Sequence, residues 1–218
     1  MKHILSILLL CAVLVPSRAQ GSWDNRLDAS VKAQVAQWRG DSGPVKADNA
    51  LQYLPAAVYA GLGFAGAGDG NIAEYLAAGA TAYTVEAVLV NGFKYTACRM
   101  RPDGSRANSF PSGHTATAFT GAELVRLEYG PWWGAGAYLV ASGVGFLRIY
   151  NNRHWFTDVL AGAATGVLSA NVAWRLLPLE RRWFGIPSGR GGVTLLPSVI
   201  PDGPGHAVSF GLSCSLQF

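Results

Sequence analysis

Two histidines and three cations stand in three short segments of the chain, and their residue types suit chemistry on a phosphate. Arginine binds anions with several oxygens in a fork, and lysine adds a compact positive charge. An imidazole can attack phosphorus or exchange a proton with a leaving group. The residues in chain order are Lys94, Arg101, His114, Arg148 and His154. Their combination predicts phosphoryl transfer at one anion-binding site without a metal ion.

His154 and Asp158 are four residues apart, so on a helix they would lie on the same face, one turn apart. A carboxylate there can accept the hydrogen bond of Nδ1, fix the tautomer and leave Nε2 free as a nucleophile. A pair with this spacing is also common on ordinary helix surfaces. The spacing alone therefore leaves both interpretations open.

Pro111-Ser112-Gly113-His114 comes directly before an apolar stretch. Ser112 is a good N-cap residue, and Gly113 lets the backbone approach a ligand closely. The unpaired amides of a helix start form an anion site. Taken alone, the segment could be an ordinary helix cap, and single cations near helix ends could be membrane-interface anchors.

Apolar stretches rich in Ala, Gly, Val and Leu must position these residues. We expect five core helices, at about 51–67, 72–91, 113–127, 131–147 and 156–177. Their lengths and small residues suit packed helices in a bilayer, which we favour, and also a soluble all-α domain. Acids inside the stretches, such as Glu74, Glu86 and Glu123, should face the bundle or a site.

The two ends of the chain have a different character. Residues 1–19 have the features of a secretory signal peptide, and residues 20–50 form an amphipathic segment. Its apolar residues recur at helical spacing: Leu27, Val31, Val35 and Trp38. Charged residues at 178–190 predict a break, and the tail over 179–218 alternates with period two near its end, which predicts a β-hairpin.

Composition excludes several classes. Only 14% of the residues are charged and the net charge is +4, without the concentrated basic stripe of a nucleic-acid-binding protein. Half of the residues are hydrophobic, so the chain has enough apolar surface to fold. We therefore expect no nucleic-acid partner, and the oligomeric state stays open.

The joint pattern Lys-x6-Arg-Pro, Pro-Ser-Gly-His and Arg-x5-His-x3-Asp resembles the type 2 phosphatidic acid phosphatase (PAP2) superfamily, which includes class A acid phosphatases and vanadium haloperoxidases. The motifs cover residues 94–158, and the resemblance implies a PAP2-like all-α domain over 51–178. Two features depart from the family pattern. Leu147 stands where the family usually has Ser, and only eight residues separate Pro102 from Pro111.

The resemblance also implies a role for each site residue. His154 would be the nucleophile, Asp158 would orient it, and His114 would be the general acid and base. The phosphate would be held by Lys94, Arg101, Ser112, Gly113 and Arg148. No cofactor or metal is implied.

The expected activity is metal-independent hydrolysis of a phosphomonoester or diphosphate, in particular of a lipid, through a phosphohistidine. Alternatives are a soluble periplasmic acid phosphatase, a vanadate-dependent haloperoxidase and a non-catalytic membrane protein. If residues 21–50 lie outside the membrane, an even number of spans brings each of the three segments outside. We therefore expect an exported membrane protein whose site faces the periplasm or exterior.

Overall fold

The computed structural model describes residues 25–188 and, at the backbone level, two strands near the C-terminus. The signal peptide predicted for residues 1–19 lies outside the described residues. In chain order the helices are α1 (Arg26–Arg39), α2 (Asp48–Leu51), α3 (Leu54–Phe64), α4 (Ile72–Ala97), α5 (Gly113–Tyr129), α6 (Pro131–Tyr150) and α7 (Phe156–Phe184). The strands are β1 (Val193–Pro201) and β2 (Val208–Leu216), which pair antiparallel.

The described body is helical and is built around α5, which packs against α3, α6 and α7, while α7 also packs against α4. Small side chains fill the core, so the helices approach closely. Fully buried examples are Ala82, Ala118, Ala122, Ala141, Ala170 and Ala173. The long helices α4 to α7 follow one another as an antiparallel series, with 15 residues between α4 and α5, one between α5 and α6, and five between α6 and α7. The end of α4, the start of α5, the end of α6 and the start of α7 therefore lie at one end of the bundle, which positions the site.

Glycine is required where α7 crosses the start of α5. A Cβ atom at Gly162 would lie 2.5 Å from the carbonyl oxygen of Ser112, and one at Gly166 would lie 2.4 Å from that of Ala116. No side chain fits at such distances. These glycines hold the start of α7, with its site residues, against the start of α5.

The helix boundaries correct several expectations. The predicted first core helix at 51–67 is divided: α2 ends at Leu51 and α3 has only 11 residues. The predicted break at 178–190 is also misplaced, since α7 continues through Pro178 to Phe184. Its charged residues are held by α4, because Thr81 donates to Glu180 at 2.6 Å and Arg181 pairs with Glu74 at 2.6 Å.

The N-terminal helix is present as expected, but its buried face is different. Of the apolar residues at helical spacing, Val35 is buried, whereas Leu27 and Trp38 are exposed. The other buried side chain of α1 is the acid Asp28. A charge that gives up its hydration needs a partner, so this helix must bring Asp28 to a cation.

Among the described helices, one is long and apolar enough to cross a bilayer by length and composition, namely Phe156–Phe184. At about 1.5 Å per residue, the 11 residues of α3 extend only about 16 Å, roughly half of a hydrocarbon core. Helix α3 is therefore too short to cross a bilayer completely, so the five predicted helices are not all complete spans.

Candidate active site

All the predicted site residues lie at one end of the bundle. Lys94 is in the last turn of α4 and Arg148 in that of α6. Gly113 begins α5, followed by His114, and His154 lies just before α7. The interactions described below connect these groups, so the three sequence segments form one site.

His154 is held by a backbone carbonyl. Its side chain is 3% exposed, and its Nδ1 lies 2.7 Å from the carbonyl oxygen of Ser109. A carbonyl only accepts, so Nδ1 carries the hydrogen and Nε2 keeps its lone pair. That tautomer is the one a nucleophilic imidazole requires. The oxygen that fixes it belongs to Ser109, which the sequence motifs did not single out.

Asp158 does not make the predicted direct bond to His154. Its Oδ2 lies 3.7 Å from Nδ1, beyond hydrogen-bond length. The helical argument fails because His154 precedes α7, which begins at Phe156. Asp158 instead accepts from Ser109 Oγ and, at 2.9 Å, from the amide of Trp155, the N-cap residue of α7. Asp158 therefore positions His154 through Ser109.

Burial lowers the pKa of His154, and the positive charges of Arg148 and Arg101 act in the same direction. The interaction with Asp158 opposes them and raises the pKa. Burial is the largest of these effects, so the pKa lies below its usual value. The neutral, nucleophilic form of the ring is thus favoured.

Arg99 links this centre to the N-terminal helix. Its Nη1 donates to Asp158 at 2.6 Å, and its Nη2 donates to Asp28 of α1 at 2.6 Å. All three side chains are almost fully buried. Asp28 also accepts from the amide of Thr157 at 2.9 Å, in the first turn of α7. Arg99 therefore balances part of the charge of two buried carboxylates and holds Asp158 in place.

Three cations are gathered where a phosphate would bind. Burial lowers the pKa of Lys94, and so does the charge of Arg101; burial and the charge of Arg148 likewise lower the pKa of Arg101. Like charges at this proximity favour a bound anion. Within the described residues, the buried Nε atoms of Arg101 and Arg148 have no hydrogen-bond partner in the protein.

Ser112 and Gly113 form the start of α5 as predicted. A Cβ atom at position 113 would lie 3.3 Å from Nζ of Lys94, which places the lysine directly beside this helix start. Ser112 is the N-cap residue, but its hydroxyl makes no capping bond and lies 2.9 Å from Oγ1 of Thr115. The backbone amides of the first turn, rather than this hydroxyl, are the groups left to bind an anion.

The short helix α2 contributes two contacts that sequence reasoning missed. Oδ1 of Asn49 lies 3.0 Å from Nε2 of His114, and Asp48 forms a buried ion pair with Arg148. These residues belong to the polar segment 20–50, which carries no motif that would single them out. Leu147, in place of the family Ser, is half-buried beside Arg148.

A separate apolar cavity of about 270 Å³ lies between α3 and α4. Aromatic and small side chains line it, among them Tyr59, Ala60, Phe64, Tyr75, Gly79 and Tyr83. Its apolar lining suits a hydrocarbon group rather than an ion.

The fold and the site together define a helical bundle with two histidines, a carboxylate and three cations at one end. Residues 74–182, half of the chain, match the PAP2 superfamily. The chain belongs to the PAP2 superfamily, as the motif pattern indicated.

A phosphatase is similar in sequence to part of the chain. A Lipid A 1-phosphatase from Porphyromonas gingivalis is 44% identical over 135 residues, which are 59% of this chain and 30% of that protein. This chain therefore matches less than a third of the length of that relative.

Two solved structures resemble the chain. A transmembrane PAP2 type phosphatidylglycerolphosphate phosphatase from Bacillus subtilis has a TM-score of 0.55 and 20% identity, covering 83% of this chain and 96% of its own. LpxE from Aquifex aeolicus has a TM-score of 0.48 and 23% identity, covering 77% and 94%. The Bacillus structure supports the PAP2-like helical fold.

Proposed function

We propose that this protein is a membrane phosphatase that hydrolyses the phosphomonoester or diphosphate group of a lipid through a phosphohistidine, without a metal ion. The observation that carries the proposal is the arrangement of His154. It is a buried imidazole with Nδ1 bound to a carbonyl, and it lies in the same site as His114 and three cations.

In the first step, the lone pair on Nε2 of His154 attacks phosphorus. The bond between phosphorus and the leaving oxygen breaks, its electron pair stays on that oxygen, and His114 supplies the proton that makes the product alcohol. Lys94, Arg101 and Arg148 stabilise the charge on the equatorial oxygens, together with the first amides of α5. Ser109 and Asp158 stabilise the charged ring of His154.

In the second step, His114, now neutral, takes a proton from water as the water oxygen attacks phosphorus. The bond between phosphorus and Nε2 breaks, its electron pair returns to His154, and inorganic phosphate leaves. Both residues end in their starting protonation states, so the cycle consumes one water and needs no external oxidant or reductant.

Membrane embedding is supported by the exposed apolar side chains of the bundle. Val88, Leu139 and Leu160 are more than half exposed on three different helices. Aromatic side chains lie near the helix ends opposite the site, as at a membrane interface: Phe64, Trp132, Trp133, Trp183 and Phe184. The cavity between α3 and α4 adds an apolar surface suited to a lipid chain.

We further propose that the site faces the periplasm or the exterior. Arg181 and Arg182 lie at the opposite end of the bundle, where the positive-inside tendency places cytoplasmic cations. Labelling a Cys introduced at exposed Ser105 with an impermeant thiol reagent in intact cells tests this orientation, in a background in which Cys11, Cys98 and Cys214 are replaced by Ser. Labelling only after membrane disruption contradicts it.

Phosphate release tests the function. The wild type and the His114→Ala and His154→Ala variants are assayed in membrane and soluble fractions. The substrates are lipid A, phosphatidylglycerol phosphate, phosphatidic acid, an isoprenoid diphosphate and p-nitrophenyl phosphate. We expect wild-type turnover of a lipid substrate in the membrane fraction and loss of turnover in His154→Ala. Activity confined to soluble esters in the soluble fraction would show a soluble acid phosphatase instead.

A further inference from the structure

The N-terminal segment reaches the phosphate site from outside the residues that match the superfamily, which begin at position 74. Helix α2 places two consecutive side chains there. Asp48 is 1% exposed and pairs with Arg148, while Asn49 contacts His114. We propose that Asp48 and Asn49 are positioning residues, the first for the phosphate-binding arginine and the second for the general acid and base. This inference rests on the proposed function.

The pair of Asp48 and Arg148 fixes one edge of the guanidinium. Nη1 of Arg148 donates to Oδ2 of Asp48, while the buried Nε has no protein partner within the described residues. A guanidinium has five donors in a planar fork, so holding it through Nη1 leaves other donors for phosphate oxygens. Asp48 thereby sets the orientation of the guanidinium plane of Arg148 relative to the phosphate that it would bind.

Asp48 is itself held in place by the end of α6. Nδ2 of Asn151 donates to Oδ2 of Asp48 at 3.3 Å. Asn151 also exchanges two hydrogen bonds with the backbone of Val45, one of 2.8 Å from the Val45 amide and one of 2.7 Å to its carbonyl. The segment leading into α2 is therefore attached three residues beyond Arg148. Such a double attachment fixes the carboxylate relative to the arginine that it orients.

Asn49 orients the ring of His114. Its side-chain amide offers both an acceptor and a donor, so it can bind Nε2 in either tautomer of the ring. The other ring nitrogen then remains for proton exchange with the leaving group and water. The backbone of Asn49 is fixed in turn, because Nε2 of Gln52 donates to its carbonyl at 2.9 Å.

The decisive test for Asn49 varies the leaving group. General-acid help matters most for a poor leaving group such as an alkyl alcohol and little for p-nitrophenolate. The ratio kcat/KM reports only the steps up to departure of the leaving group, so Asn49→Ala should lower kcat/KM by about 10-fold for an alkyl phosphate and leave kcat/KM for p-nitrophenyl phosphate within about twofold. A His114→Ala variant should show the same selectivity, with a larger loss.

The test for Asp48 uses inorganic vanadate, which resembles the five-coordinate transition state. Asp48→Asn should weaken vanadate inhibition and lower kcat/KM about 10- to 100-fold for every leaving group, since removing a donor itself costs about 10²–10³. Asp48→Glu, which keeps the charge, should recover part of the loss. Lys46→Ala, an exposed change in the same segment, is the matched control and should behave as wild type.

Equal losses for both leaving groups in Asn49→Ala, or unchanged vanadate inhibition in folded Asp48→Asn, would overturn the proposal. Thermal unfolding in detergent shows whether each variant is folded. If Asp48→Asn is unfolded, Asp48→Glu takes its place in the test. Vanadate must then inhibit Asp48→Glu less strongly than it inhibits the wild type. If wild type itself hydrolyses no phosphate ester, the proposed function fails instead, which keeps the two failures distinct.

Discussion

Nδ1 of His154 lies 3.7 Å from Oδ2 of Asp158 but only 2.7 Å from the carbonyl oxygen of Ser109. Ser109 also donates its hydroxyl to the same carboxylate oxygen, and its amide donates to the carbonyl of Arg99 at 2.9 Å. Ser109 is thus held by three hydrogen bonds, to His154, to Asp158 and to the backbone of Arg99. The carboxylate acts on the nucleophile through this residue.

This relay predicts that Ser109 and Asp158 act as a unit. Ser109→Ala removes the hydroxyl and Asp158→Asn removes the charge, and each should lower kcat/KM about 10- to 100-fold through about 1–3 kcal/mol of lost interaction. The double variant should have a kcat/KM only slightly below that of the less active single variant. Steady-state kinetics on all four proteins measures this coupling. Losses that multiply would show that the two residues act independently.

Arg99 should be essential for stability as well as activity. Arg99→Ala leaves Asp28 and Asp158 buried without their shared cation, which costs about 3–5 kcal/mol. Arg99→Lys keeps a charge but loses the fork and should be intermediate. Equilibrium unfolding in detergent measures the difference, with Arg175→Ala on the exposed surface of α7 as control. An Arg99→Ala protein as stable as wild type would contradict the buried network.

Gly113→Ala should impair phosphate binding without harming the fold. The added methyl would lie 3.3 Å from Nζ of Lys94, so the lysine must move away from the helix start. Alanine favours helix more than glycine does, so stability should hold or rise slightly. We expect an increase in KM of about fivefold to tenfold, of the size of one weakened charge-assisted contact. Gly92→Ala, where the added methyl meets open space, is the control and should leave KM unchanged.

The pH dependence follows from His154. Burial lowers its pKa below the ordinary value of 6.5, so the ring is neutral and nucleophilic throughout the range above 6.5 and remains so somewhat below it. As pH falls, activity is lost only when the ring takes up a proton. The acidic limb of kcat/KM due to this group should therefore lie below pH 6.5. A limb above 6.5 assigned to His154 would contradict the observed burial.

Much of the site could be predicted from sequence because its groups are set by local motifs at helix ends. Lys94, Gly113 and Arg148 lie where the apolar pattern ends or begins a helix. Because consecutive helices run antiparallel, the end of one helix lies beside the start of the next. The site residues therefore come together at one end of the bundle. The pattern could not show that His154 precedes α7, because a Trp as N-cap gives no capping signal.

The contributions of the N-terminal segment could not be predicted. Asp28 and Asp48 lie in polar sequence that is typical of solvent-exposed helix, and only tertiary contact shows that they are buried against Arg99 and Arg148. The end of α7 was misjudged for the same reason. Glu180 and Arg181 suggest a solvent-exposed break, yet Thr81 and Glu74 provide partners on α4.

The account depends most directly on a covalent bond between phosphorus and His154. Rapid quenching of turnover with a ³²P-labelled phosphate ester, followed by denaturing electrophoresis, measures it. We predict an acid-labile, alkali-stable label on the wild type, a label of longer lifetime on His114→Ala with p-nitrophenyl phosphate, and none on His154→Ala. Labelling of His154→Ala, or phosphate release by that variant near the wild-type rate, would contradict the central claim.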